Sequence, residues 1–139
     1  MKKLNKLVLA LAAVCLAAPL AIFAGSIYDR AESSSGGWYG NTGPQYIYGE
    51  VTAPAGAEID WEAYVYTWGS ASGYANLSGW GILNFSASAS NGGESSSGYA
   101  FFPEGGGTVS YYLYADSYSY GGYYSGDYAY SSAMVVGGW

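Results

Sequence analysis

The residues best suited to chemistry in this chain are carboxylates. Asp60 and Glu62 stand two apart in the run "IDWEAYVYTW", residues 59–68, beside Tyr64, Tyr66 and Trp68. On one strand face, side chains two apart come near the separation a glycosidase acid pair requires. Acids on the outward face of a half-buried strand are more often simply solvated, so no catalytic residue is assigned and no enzymatic activity is expected.

A second pair, Asp116 and Asp127, flanks Gly121-Gly122. If those glycines form a two-residue turn, for which they supply the positive φ, counting outward sets Asp116 opposite Asp127. Directly opposed like charges destabilise a strand pair. A bulge at Gly126 would shift the pairing, open water would screen the charges, and a calcium ion could bridge them. Calcium is the only cofactor these residues suggest.

Composition removes most other chemistry. The chain has no histidine, its single cysteine is Cys15, and its three lysines all fall within the first six residues. Downstream of them there is no Ser-His or Cys-His couple, no Schiff-base lysine and no His-containing zinc site. "GGGT" at 105–108 lacks the lysine of a phosphate loop.

The beginning of the chain has the layout of an export signal. Met1 to Lys6 is basic, Leu7 to Phe23 is apolar, and Ala24-Gly25-Ser26 is a small-residue exit, so cleavage is expected after Ala24. The apolar run is short and interrupted by Pro19, which argues against a transmembrane anchor. After such a cut, ten carboxylates face Arg30 alone, a net charge of −9. That excess repels nucleic acid and anionic lipid, so neither is expected as a partner, nor is membrane insertion of the mature chain. Without a mature cysteine there is no disulfide. The expected localisation is secreted and extracellular.

What remains is aromatic. Residues 111–132, "YYLYADSYSYGGYYSGDYAYSS", hold nine tyrosines. The phenol buries area with its ring while its hydroxyl still reaches water, so it suits both a core and an exposed sheet.

The elements that position these rings follow from alternation. Residues 25–43 are rich in Gly and Ser without periodicity and are expected to be a flexible lead-in, leaving 44–139 as the folded domain. In "QYIYGEV", Ile47, Gly49 and Val51 share a face opposite Tyr46, Tyr48 and Glu50. In the next run Ile59, Trp61, Ala63, Val65 and Thr67 alternate with Asp60, Glu62, Tyr64, Tyr66 and Trp68. Leu77, Leu83, Phe85, Ala87 and Ala89 share one parity, with a bulge or bend expected at Gly79-Trp80-Gly81. "NGGESSSG" and "PEGGG" are expected as loops, with a hairpin-type signal at Asn91-Gly92.

In the hairpin around Gly121-Gly122, Val109, Tyr111, Leu113 and Ala115 share a core side with Met134, Ser132, Tyr130 and Tyr128. Tyr112, Tyr114, Tyr118, Tyr120 and Tyr123 then point away from it. Turn signals recur about every ten residues, which predicts an all-β fold: one small antiparallel sandwich or barrel of about six to eight strands.

The expected binding surface is Tyr64, Tyr66 and Trp68 on one strand with Tyr112, Tyr114, Tyr118 and Tyr120 on another. Such rings suit protein contact and favour a bacterial extracellular protein that adheres or self-associates, because Tyr/Ser/Gly strands carry few edge charges. They equally suit a carbohydrate-binding domain that stacks on the sugars of an extracellular polysaccharide. Small size and export also accommodate a bacteriocin or inhibitor. Terminal Trp139 resembles the aromatic end of an outer-membrane barrel, but the strands show no lipid-facing Leu/Val band.

Overall fold

Strict alternation builds eight strands. The computed structural model describes residues 25–36, 41–120 and 126–139. Within them run β1 (Ser26–Gly36), β2 (Gln45–Ala53), β3 (Glu58–Trp68), β4 (Ala71–Gly81), β5 (Phe85–Ser90), β6 (Glu94–Phe101), β7 (Gly107–Ser119) and β8 (Tyr128–Gly138). The proposed leader and the Gly121-Gly122 turn lie outside the described residues.

The strands form two four-stranded antiparallel sheets. Sheet A has the order β1-β8-β3-β6 and sheet B the order β2-β7-β4-β5. Two open sheets face each other, a sandwich-like arrangement. Consecutive strands mostly change sheet; β4 and β5 are consecutive and stay neighbours.

Each sheet turns one parity inward. From sheet A come Ile59, Ala63, Val65, Ala133 and Val135, and from sheet B Leu77, Ala87, Val109, Leu113 and Ala115, all buried. Burying each larger aliphatic side chain stabilises the fold by about 1.5–3 kcal/mol. Trp61 and Phe85 stack across the gap at 4.4 Å and 12°.

Glycine admits the bulkier rings. A Cβ on Gly49 would lie 2.1 Å from the Tyr111 hydroxyl oxygen, and one on Gly79 would lie 2.2 Å from Phe85 Cζ. Gly79 is therefore a regular paired strand residue whose missing side chain makes room for a ring, not the expected bulge. Gly81, with φ 123°, closes β4.

Three further expectations are corrected. The lead-in at 25–43 contains β1, which pairs with β8 over its whole length. Alternation is invisible there because the buried positions are Ala31, Ser33 and Ser35. The serines replace apolar packing with hydrogen bonds: Ser33 Oγ donates to the Gly43 carbonyl at 2.8 Å, and Ser35 Oγ accepts from Ser119 N at 3.0 Å.

Second, β7 and β8 are not a hairpin. They lie in different sheets, β7 beside β2 and β4, and β8 beside β1 and β3. The buried side of β7 holds Val109, Tyr111, Leu113 and Ala115, as the alternation predicts. In β8 the parity is mostly the reverse of that expected: Ala129, Ser131, Ala133 and Val135 are fully buried, Tyr128, Tyr130 and Met134 are only half-buried, and of the expected core side Ser132 alone is buried. The registers Ala63↔Ala133 and Trp61↔Val135 place these small residues in the sandwich. They fit a gap where Ser117 Oγ lies 3.0 Å from both Ser131 Oγ and the Ser33 carbonyl oxygen.

Third, "NGGESSSG" is mostly strand. Only Asn91, Gly92 and Gly93 turn, with φ of 45°, 73° and 87°, and they carry the chain from sheet B to sheet A instead of closing a hairpin. The Asn91 side-chain oxygen accepts from Gly73 N at 2.9 Å, and Gly92 N donates to Thr67 Oγ1 at 2.7 Å.

Candidate functional site

The outward parity of sheet B collects the rings. Register sets Tyr48 of β2 beside Tyr112 of β7, and Tyr46 beside Tyr114. On the other flank of β7, Tyr114 neighbours Asn76 of β4, and Asp116 neighbours Tyr74. Beyond β4, Asn76 pairs with Ser88 and Ser78 with Ser86. Tyrosines thus occupy the β2, β7 side of the face, and on the β4, β5 side an amide and hydroxyls lie between Tyr74 and Trp80.

The rings form one continuous row. Tyr46 meets Tyr48 at 6.5 Å, Tyr48 meets Tyr112 at 4.7 Å, Tyr112 stacks with Tyr114 at 6.4 Å, and Tyr114 meets Tyr74 at 6.1 Å. Tyr46 and Tyr48 are 66% and 71% exposed and Tyr74 is 42% exposed, with Tyr112 and Tyr114 half-buried between them. The inner pair supports and the outer three present.

Burial and neighbouring groups disfavour charge on the two inner phenols of the row. Partial desolvation, then the phenols of Tyr48 and Tyr46, push Tyr112 above the ordinary tyrosine value. Desolvation and then the Asp116 carboxylate push Tyr114 the same way, and Tyr114 Oη donates to Asp116 Oδ2 at 3.3 Å. Both phenols therefore remain hydrogen-bond donors well above neutral pH.

Tyr74 divides two shallow hollows. One is lined by Tyr74, Asn76, Ser78, Ser86 and Ser88, the other by Ser72, Tyr74, Ser90, Asp116 and Tyr118. Beside the first, the Asn76 side-chain oxygen is buried without a hydrogen-bond partner. A buried acceptor left unpaired costs about 1–3 kcal/mol.

The expected surface therefore splits in two. Tyr112, Tyr114 and Tyr118 lie on the outer face of sheet B, and Tyr120 follows just beyond β7, its ring 4.7 Å from that of Tyr118. Tyr64, Tyr66 and Trp68 lie on the outer face of sheet A, on the opposite side of the molecule.

There the rings are engaged by β8 and β1. Tyr64 meets Tyr130 at 6.2 Å, and Tyr66 meets Tyr128 at 6.4 Å, both tilted. The Arg30 guanidinium sits 5.8 Å from the Tyr130 ring centre, donates to its hydroxyl and pairs with Glu32 at 3.3 Å. Trp68 is 66% exposed, and Tyr28, Tyr66, Tyr99 and Phe101 are also exposed on sheet A.

Topology also separates Asp116 from Asp127. Asp116 has Tyr74 as its cross-strand neighbour and accepts from Tyr114, while Asp127 Oδ1 accepts from Ser70 N at 3.0 Å. The hairpin register that would have opposed them does not exist, so the bridged calcium pair loses its geometric basis. Among the described residues, no three acids, cysteines or histidines gather in one place. Asp60 and Glu62 point outward from β3 into a notch lined also by Tyr99 and Met134.

Reading the sequence missed Tyr46, Tyr48, Tyr74 and Asn76 as members of the site. Their outward parity was visible, but that β2 and β4 flank β7 is a long-range pairing with no local signal. Among the described residues, no helix is long and apolar enough to cross a membrane. No protein-family model and no curated protein matches the chain.

Proposed function

We propose that this chain is an exported, non-enzymatic carbohydrate-binding domain that lays the tyrosine row of sheet B along a polysaccharide. The observation that supports this is the five-ring row Tyr46–Tyr48–Tyr112–Tyr114–Tyr74, adjoining the unpaired Asn76 oxygen and a serine strip. Sugar rings present C–H faces to aromatic planes and hydroxyls to amides and serines, and this face offers both side by side. Three adjacent strands carry the row across about 10 Å, enough to engage an extended chain in preference to one terminal sugar.

Retention on a panel of insoluble polysaccharides tests this. Wild type and Tyr66→Ala should be retained by at least one of them, and Tyr48→Ala and Tyr74→Ala should be retained less. Each lost ring is worth about 0.5–1.5 kcal/mol, a weakening of about two- to twelvefold. No retention on any polysaccharide, or loss in Tyr66→Ala alone, would reject the assignment.

Self-association is the second reading, favoured by the sheet edges. Edge strand β5 (Phe85–Ser90) carries neither charge nor proline, and edge strand β6 exposes Tyr99 and Phe101. Unprotected edges of this kind template further pairing. Concentration-dependent light scattering in protein that no polysaccharide retains would favour it.

A further inference from the structure

The geometry points to Tyr48 and Tyr112 as a pair that oxidative coupling joins into an intrachain dityrosine, stapling edge strand β2 to central strand β7. The two residues are direct register partners on the outer face of sheet B, and their ring centres are 4.7 Å apart at a tilt of 38°. The coupling orbital of a phenoxyl radical is the ring π system, so a partly face-to-face approach favours bond formation. Tyr118 and Tyr120 are equally close but meet at 77°, which puts an edge against a face.

Access and supply favour the same pair. Tyr48 is the most exposed ring of the row and meets a diffusing oxidant first. Tyr46, Tyr114 and Tyr74 adjoin the pair ring to ring, so a radical formed on any of them has a short path to it. Residues 25–139 hold no cysteine to intercept the radical and none to form a disulfide, which leaves the tyrosines as the cross-linking side chains of the folded part.

The chemistry balances with a peroxide as oxidant and a haem peroxidase as catalyst. Each phenol gives up one electron and its hydroxyl proton. The two radicals join through ring carbons ortho to oxygen, forming one C–C bond. The hydrogen on each joined carbon then shifts to oxygen and restores the phenol. Hydrogen peroxide takes up the two electrons and two protons, its O–O bond breaks, and two waters result.

The test is limited oxidation of dilute folded protein by a haem peroxidase and hydrogen peroxide, read by dityrosine fluorescence, gel mobility and mass spectrometry after proteolysis. The expected product is monomeric, lighter by two hydrogen atoms, and cross-linked between the peptides carrying Tyr48 and Tyr112. It should be lost in Tyr48→Phe, which keeps the ring and the packing, and persist in Tyr66→Phe. Urea-unfolded protein should lose the selectivity. Absence of dityrosine, cross-links only between chains, mapping to other pairs, or an undiminished monomeric product in Tyr48→Phe would each overturn the proposal.

Discussion

Replacing Tyr111 by Phe isolates one buried polar contact on which the closure of the two sheets depends. Tyr111 is 3% exposed, and its hydroxyl donates to Asp29 Oδ2 on β1, across the sandwich from β7. Phenylalanine keeps the ring and removes the donor. A hydrogen bond to a charged group contributes about 1.5–3 kcal/mol, so the urea midpoint should fall by the equivalent of about 2 kcal/mol at neutral pH. In a double-mutant cycle with Asp29→Ala the two losses should not add, because both changes remove the same bond.

The same contact makes an alkaline prediction. Burial first, then the hydrogen bond to Asp29 and its charge, raise Tyr111 well above the ordinary tyrosine value. A tyrosine in the unfolded chain releases its proton near pH 10, whereas folded Tyr111 keeps it. Below pH 10 both states are protonated and the contribution is fully present. Above pH 10 the unfolded state is favoured, and stability falls by about 1.4 kcal/mol per pH unit for this one proton. Urea titrations at several pH values should therefore show a shallower alkaline decline in Tyr111→Phe than in wild type. Equal declines, with a neutral-pH loss below about 0.5 kcal/mol, would refute the contact as a tie between sheets.

Other perturbations test other parts of the sandwich. Leu113→Ala, at a fully buried site, should cost about 2–5 kcal/mol by urea denaturation. Gly79→Ala forces a methyl into the Phe85 ring and should cost about 1–3 kcal/mol, with recovery when combined with Phe85→Leu. Ser131→Ala removes a hydroxyl that donates to the Asp116 carbonyl at 2.7 Å and lies 3.0 Å from Ser117 Oγ, and should cost about 1–3 kcal/mol. Ser34→Ala, on the outer face of the same sheet, should be close to neutral.

Local alternation made most of this fold readable, and its failures have identifiable causes. The inward faces of β2, β3, β5 and β7 follow directly from Ile47, Val51, Ile59, Val65, Phe85, Val109 and Leu113, because large apolar side chains mark one parity. In β1 and β8 the buried positions are Ala and Ser, with the one exception of Val135, whose neighbour Val136 has the opposite parity, so hydrophobicity carries little parity signal there. Two glycines between tyrosine-rich segments suggested a hairpin, but a two-residue turn signal does not say whether the chain stays in its sheet.

The site was legible to the same extent. Outward tyrosines on β3 and β7 could be picked out singly, but their division between two faces depends on strand order. That order comes from pairings such as Tyr48 with Tyr112, separated by most of the domain. The Asn76 oxygen became notable only when its lack of a partner was visible.

The central claim is that sheet B, and not sheet A, carries the sugar-binding surface. The most direct measurement is an NMR titration of protein labelled at tyrosine and tryptophan with a soluble fragment of the polysaccharide that retains it. The Tyr46, Tyr48 and Tyr74 ring signals should shift together along one binding curve while those of Tyr66 and Trp68 stay in place. Shifts confined to Tyr66 and Trp68, or scattered over both faces without saturation, would contradict it.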